Sequence, residues 1–95
     1  MSKIRIENVV SPGSSHNVDA TKYEAMRKAY MAVLPEAAPG LTPTEIRLRL
    51  TPLLPEDVFP GGSKAGWWAK AVQLDLEAKG VVTRAKGSPV RLFKA

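Results

Sequence analysis

Residues 76–84 read LEAKGVVTR, and this stretch decides how the chain is expected to fold. Its first half continues a helical pattern of apolar residues. Gly80 stands where helices often end, because glycine adopts the left-handed backbone of a C-terminal cap without strain. The segment Val81–Arg84 is then rich in β-branched side chains, which favour strands. The stretch therefore predicts a helix that passes directly into a strand.

Upstream of this junction, the helix is predicted to be the third of the chain and to run from about residue 63 to residue 79, with Ser63 as its N-cap. Apolar side chains cover most of its circumference. A helix this apolar packs against at least two other elements, so we expect it at the centre of the domain. Its narrow polar strip consists of Gly66, Lys70, Gln73 and Glu77.

Asp75 is the exception within the apolar part of this helix. A carboxylate there needs a partner, because an unpaired buried charge is costly. Lys79 follows one turn later, in the favourable order of acid before base; a tryptophan N–H or an arginine from another segment could also serve. No second acid or base is placed to work with Asp75, so we expect a structural role and not a catalytic one.

Downstream of Gly80, residues 81–94 predict a β-hairpin. The segments Val81–Arg84 and Val90–Lys94 have strand patterns, and Lys86–Pro89 between them forms a turn. Arginine and lysine residues stand at the tip and along the flanks. The hairpin is therefore expected to be basic.

The N-terminal part begins with Lys3–Glu7, where charged and apolar residues alternate with the period of a half-buried strand. Ser11–Ser15 has the composition of a loop, and His16 is expected to be a solvated side chain beyond it. A first helix is predicted over about residues 19–34, with Asp19 or Thr21 near its start.

A second helix is predicted over about residues 43–54. Thr42 and Glu45 form a capping-box pattern at its start, which satisfies backbone N–H groups that a helix leaves free. Pro52 is expected to kink or shorten this helix near Thr51, because proline cannot donate to the helical ladder.

Length and composition exclude several classes of protein. With 95 residues, the chain is expected to form a single domain, residues 1–95. The absence of cysteine and the single histidine argue against disulfides and a zinc site, and no metal or cofactor is implied. No apolar run could span a membrane and no signal peptide is visible, so we expect a cytoplasmic protein. No set of residues fills the roles of a catalytic site, so we expect no enzyme.

The charge is unevenly placed along the chain. The net charge is +5, and residues 1–63 contribute nothing to it because their seven basic and seven acidic residues cancel. Residues 64–95 contain seven basic residues against two acidic ones. A one-sided positive field of this kind attracts polyanions, chiefly nucleic acid.

The order of strand, three helices and basic hairpin resembles the winged-helix variant of helix-turn-helix domains. Residues 76–84 are similar to the segment that joins the third helix to the wing in many such proteins, and Leu41–Ile46 looks like the start of their second helix. The resemblance covers about residues 19–95. It implies a small α+β winged-helix-like domain.

A second resemblance covers nearly the whole chain. Pro60–Gly62, Gly66–Trp68 and Val72–Gly80, together with Val18–Ala20 and Lys22–Met26, are similar to a family of short bacterial proteins of unknown function. That family has no established activity. This resemblance therefore implies no function.

The winged-helix resemblance implies a module that binds double-stranded DNA, such as a transcriptional regulator. The third helix would enter the major groove, and the hairpin would contact the backbone. Arg47 and Arg49 of the second helix could reach the same strand. The expected nucleic-acid-binding residues are Lys64, Lys70, Gln73, Arg84, Lys86, Arg91 and Lys94.

The alternative is a protein-interaction or homodimerisation module on the same fold, without nucleic-acid binding. The polar strip of the third helix lacks the arginine and asparagine that commonly contact bases, and its Glu77 repels phosphate. Trp67 and Trp68, if exposed, would favour a protein partner, because tryptophan is enriched in binding hot spots.

Overall fold

The computed structural model describes residues 3–8, 13 and 15–95. The α+β layout predicted from the sequence is confirmed, with an N-terminal strand, three helices and a C-terminal hairpin in a small winged-helix-like arrangement. Short 3-10 turns follow the second helix and precede the third. The elements are β1 (Lys3–Glu7), β2 (Ser15–Asp19), α1 (Ala20–Val33), α2 (Pro43–Leu50), α3 (Ala65–Ala78), β3 (Val82–Arg84) and β4 (Leu92–Lys94).

The N-terminal strand β1 pairs with a second strand that the sequence did not predict. β2 runs antiparallel to β1, and Val18 lies opposite Ile4 in the register. The loop expected at Ser11–Ser15 falls mostly outside the described residues, and His16 lies within β2 and not in a loop. Asp19 caps α1 as predicted, because its carboxylate accepts a hydrogen bond from the Lys22 N–H at 3.1 Å.

α2 starts where the sequence predicts, and it ends before the predicted bound near residue 54. The Thr42 hydroxyl accepts from the Glu45 N–H at 3.2 Å, and the Glu45 carboxylate accepts from the Thr42 N–H at 2.9 Å. α2 ends at Leu50 and continues as a 3-10 turn over Thr51–Leu53. Pro52 lies in that turn and shortens the helix where expected.

The third helix begins later than predicted and ends as predicted. Lys64, and not Ser63, is the N-cap of α3, and it has a left-handed backbone with φ of 61° and no side-chain capping bond. At the other end, Gly80 has φ of 74°. The Val81 N–H reaches back to the Leu76 carbonyl at 2.9 Å, which closes the glycine-terminated cap and leads the chain into β3.

As expected, α3 lies at the centre of the core. It packs against α1, α2, β1 and β3. Trp68, Val72 and Leu76 are its main buried apolar side chains. The β3–β4 hairpin joins the core through Leu92, which exchanges backbone hydrogen bonds with Leu41 at 2.8 and 3.0 Å. In the described part of the chain, β1–β2 and β3–β4 form two separate sheets.

Candidate nucleic-acid interface

Asp75 of α3 is completely buried and has three partners. The Lys79 ammonium lies 2.9 Å from its carboxylate, which confirms the partner expected from the sequence. The Tyr23 hydroxyl donates to it at 2.5 Å and the Glu7 N–H at 2.9 Å, and neither contact was predicted. Burial, and then the hydrogen bond to Asp75, raise the pKa of Tyr23, so this phenol remains a donor. The carboxylate therefore joins α3 to α1 and β1.

Glu77, the other acid of α3, is also withdrawn from solvent. Its side chain is 4% exposed and is paired with Arg84 of β3 through the Arg84 Nε and Nη2 atoms, the latter at 3.3 Å. The same hydrogen bond raises the pKa of Arg84. Gln73 donates to the Glu77 carboxylate at 3.3 Å. Both acidic residues of the sequence from residue 64 onward are thus buried and paired.

The predicted binding residues divide into groups that differ in what their side chains contact. Lys64, Lys70 and Lys86 are exposed, and their ammonium groups have no hydrogen bond or ion pair with the described residues. Lys94 is half-buried at the end of β4, where its N–H donates to the Pro35 carbonyl at 2.8 Å. The three exposed lysines are available to an external anion.

Arg84 and Arg91 are partly exposed but already engaged. Arg84 ties the hairpin to α3 through Glu77. The Arg91 guanidinium lies 3.6 Å from the Glu45 carboxylate and donates to the Gly40 carbonyl at 3.5 Å, which ties the hairpin to the start of α2. These two arginines therefore fix the position of the hairpin as well as adding positive charge.

Gln73 does not lie where the sequence pattern placed it. It is buried, with 2% of its surface exposed, and its amide is engaged by Glu77. Gln73 and Tyr30 line the same cavity between α3 and α1. A residue in this position cannot reach a base edge, so the exposed strip of α3 is reduced to Lys70 and its neighbours Gly66 and Trp67.

The two tryptophans have different environments. Trp68 is buried and packs edge-on against Phe59, with ring centroids 6.3 Å apart. Trp67 is 54% exposed and contacts Trp68 edge-on at 5.0 Å. Its exposed side borders a groove of about 170 Å³ that is also lined by Ile6 and Leu74. Only Trp67 is accessible to a partner.

Sequence reasoning did not foresee that Arg47 and Lys70 share a site. Both side chains are exposed and line one cavity beside Tyr30. The Arg47 guanidinium lies over Gly66, where a Cβ atom would be 3.4 Å from its Nη1. The sequence signal that could have indicated this site is the spacing of Gly66 and Lys70. The two residues lie one helical turn apart, so the glycine leaves open space on the helix face beside the lysine.

Clusters of metal ligands and membrane-spanning helices are both absent from the part of the chain that the structure describes. No group of three or more histidine, cysteine, aspartate or glutamate side chains there could hold a metal ion. No helix there is long and apolar enough to cross a membrane.

Comparison with known proteins identifies a family for the chain. A model of a family of unknown function (DUF6958) matches residues 3–92. No curated protein and no solved structure matches the chain. Because the matched segment includes nearly the whole sequence, the chain belongs to this family of unknown function, DUF6958.

Proposed function

We propose that the protein is a DNA-binding winged-helix module that holds a duplex through a basic face. This basic face consists of Lys64 and Lys70 at α3, Arg47 of α2 and Lys86 of the hairpin turn. Arg84 and Arg91 of the same hairpin are partly exposed and add positive charge to it. Contact with phosphates is the main role proposed for these side chains.

The burial of both acids of α3 is the observation that carries the proposal. Residues 64–95 hold seven basic residues, and their only two acids are Asp75 and Glu77. The first is fully buried and the second has a side chain that is 4% exposed. Within residues 64–95, solvent therefore meets positive charge with almost no negative charge from the same segment. The exposed carboxylates near these cations come from other elements: Glu7 of β1 lines a groove with Lys70, and Glu45 of α2 pairs with Arg91. A polyanion that contacts the unpaired lysines releases counterions.

The arrangement favours phosphate contacts over base readout. The buried Gln73 cannot pair with adenine, so Lys70 is the predicted side chain within α3 that keeps an exposed polar end for a base edge, with Lys64 at the N-cap. A lysine can contact guanine, but a single contact gives limited discrimination. We therefore propose that affinity depends mainly on charge and falls steeply with salt.

The proposal is tested by fluorescence anisotropy with a labelled random-sequence duplex at several salt concentrations. Removing one phosphate contact should lower the slope of log affinity against log salt by about 0.9. We expect this reduction for Lys86→Gln and for Lys70→Gln. Lys28→Gln is the matched control, because Lys28 is an exposed lysine of α1 beside Leu53, on another cavity. Absence of binding at low salt, or equal effects of all three variants, would contradict the proposal.

A second candidate function, homodimerisation, is favoured by the exposure of Trp67. The groove beside Trp67 is lined by Glu7 and Lys70 in addition to apolar side chains. A two-fold interface would bring Glu7 of one copy towards Lys70 of the other, which is the self-complementarity such an interface needs. Light scattering during size-exclusion chromatography tests this. A dimer that Trp67→Ser dissociates supports it, and a monomer at high concentration excludes it.

A further inference from the structure

Tyr30 of α1 carries a hydroxyl that has no hydrogen-bond partner in the described part of the chain. The residue is 1% exposed, so the fold shields this hydroxyl from solvent and from any external ligand. A buried donor without an acceptor is costly, and a folded protein that keeps one calls for an explanation. An acceptor for it has to come from inside the protein.

The carboxylate of Glu77 on α3 lies in the same part of the core. Gln73, one turn before it, donates to this carboxylate at 3.3 Å and lines one cavity with Tyr30. Burial, and then the charge of Glu77, raise the pKa of Tyr30, whereas the charge of Arg84 lowers it. The hydroxyl is therefore a protonated donor in the field of a carboxylate whose oxygens are occupied by other donors.

The Arg84–Glu77 pair joins a surface cation to a withdrawn anion. The Arg84 side chain is 37% exposed, and it donates to Glu77 through its Nε and Nη2 atoms. The Glu77 side chain is only 4% exposed. An anion in solution can therefore compete for Arg84. A cation in solution has little access to Glu77, so a replacement donor has to come from within the fold.

The hairpin does not depend on Arg84 alone for its position. Val82 and Leu92 of the hairpin are buried in the core. Leu92 also exchanges backbone hydrogen bonds with Leu41 at 2.8 and 3.0 Å. These contacts involve neither the Arg84 guanidinium nor Glu77. The guanidinium can therefore leave its partner while both strands stay packed.

We propose that Arg84 and Tyr30 are alternative donors to Glu77: when the Arg84 guanidinium turns to a phosphate of a bound duplex, the Tyr30 hydroxyl replaces it on the carboxylate. A planar guanidinium pairs with phosphate through two parallel hydrogen bonds, so a backbone phosphate is an effective competitor for it. The exchange moves hydrogen bonds and no proton. Only the identity of the competing anion rests on the proposed function, because both donors to Glu77 belong to the fold itself.

The second donor lowers the free-energy cost of releasing Arg84. Removing one partner of a withdrawn ion pair leaves the other charge buried and uncompensated. A hydroxyl that donates to a carboxylate offsets part of that loss, because a charge-assisted hydrogen bond is stronger than a neutral one. The hydroxyl also gains the acceptor that it lacks in the free protein. Tyr30 is thus a positioning residue that acts on duplex binding through Arg84 without touching the duplex.

The first test needs no duplex and compares the melting temperatures of the wild type, Tyr30→Phe, Arg84→Met and the double variant. In the wild type, Arg84 occupies Glu77, so Tyr30→Phe should leave the melting temperature unchanged or raise it. In the Arg84→Met protein the hydroxyl is the replacement donor, and Tyr30→Phe should lower the melting temperature by at least about 5 °C. Arg91→Met is the matched control, because it breaks the other ion pair of the hairpin and should leave Tyr30→Phe without effect.

Two outcomes of these melting experiments would overturn the proposal. One is an equal effect of Tyr30→Phe in the wild-type and Arg84→Met proteins. The other is an Arg84→Met protein that does not fold, because the exchange requires the fold to survive the departure of Arg84.

The second test measures duplex affinity by fluorescence anisotropy. If Arg84 turns to a phosphate, Tyr30→Phe should weaken binding about tenfold in the wild type, through loss of one hydrogen bond to a charged group. It should have no effect in the Arg84→Met protein. Equal affinities of the wild type and Tyr30→Phe would overturn the release of Arg84 by the duplex. If no duplex binds, the proposed function is contradicted, and the melting temperatures alone decide whether Tyr30 and Arg84 exchange at Glu77.

Discussion

Among substitutions that remove only a few atoms, we expect Asp75→Ala to lower the free energy of unfolding most. The carboxylate is fully buried and accepts hydrogen bonds from the Tyr23 hydroxyl and the Glu7 N–H. Its third partner, Lys79, has a side chain that is 36% exposed. Loss of the carboxylate leaves the buried Tyr23 hydroxyl and the partly buried Glu7 N–H without this acceptor, and it removes the hydrogen bonds that join α1 and β1 to α3.

The magnitude follows from these three contacts. A hydrogen bond to a charged group contributes about 1.5–3 kcal/mol, so the buried bond from Tyr23 and the partly buried bond from the Glu7 N–H together predict a loss of about 3–5 kcal/mol in Asp75→Ala. Tyr23→Phe breaks one of them and should cost about 1.5–3 kcal/mol. Lys79→Ala removes the cation paired with this buried carboxylate. Because the Lys79 side chain is itself 36% exposed, the cost should lie between about 0.5 kcal/mol for an exposed pair and about 3 kcal/mol for a buried one.

Urea unfolding followed by tryptophan fluorescence measures all three changes. The double variant Tyr23→Phe with Asp75→Ala gives the sharpest result, because Asp75→Ala alone strands the Tyr23 hydroxyl. We expect the double variant to be no less stable than Asp75→Ala. Additive costs, or a cost for Lys79→Ala equal to that for Asp75→Ala, would refute this account of the buried carboxylate. If Asp75→Ala does not fold, Tyr23→Phe still tests the predicted loss of about 1.5–3 kcal/mol for one of the two hydrogen bonds.

Three further predictions concern local structure. Lys64→Gly should raise the free energy of unfolding by up to about 1 kcal/mol in a denaturant titration, because it relieves a left-handed backbone, while weakening duplex binding through lost charge. The hydrogen bond from the Thr42 N–H holds the pKa of Glu45 below its ordinary value of 4.5. Glu45 therefore stabilises the fold above that pH and less as the pH falls below it, so Glu45→Gln should show a flatter pH dependence of melting temperature. Gly40→Ala should destabilise the protein far more than Gly87→Ala in thermal unfolding. A Cβ at Gly40 would lie 2.2 Å from a backbone oxygen, whereas a Cβ at Gly87 would meet nothing within 4 Å. Gly87→Ala should therefore cost about 1–2 kcal/mol, for its positive φ alone.

Features that depend on a few neighbouring residues could be predicted from the sequence. The capping box of α2 needs only Thr42 and Glu45, and the end of α3 needs only Gly80. Such signals are read within one helical turn, because their hydrogen bonds close over three to five residues. The shortening of α2 at Pro52 belongs to the same class.

Features that depend on distant partners were missed. β2 has the sequence SHNVD, with Val18 as its only strongly apolar residue, and it becomes a strand because β1 pairs with it. Gln73 lies at the edge of the apolar arc of α3, and a helical pattern cannot tell that α1 covers that edge. The N-cap at Lys64 follows the turn at Pro60–Gly62, where Gly61 and Gly62 also have positive φ. For the candidate site, the lysines could be predicted, but the meeting of Arg47 with Lys70 needed the packing of two helices.

The two acids of α3 connect the stability of the fold with the charge of its surface. Asp75 fixes α1 and β1, and Glu77 fixes the hairpin through Arg84. Because both carboxylates point inward to do this, the charged residues of 64–95 that remain exposed are cations. A variant that frees either acid would therefore loosen the fold and expose a negative charge beside the basic face. Loss of binding in Asp75 or Glu77 variants would not separate these effects, whereas Lys86, which has no partner among the described residues, changes the charge alone.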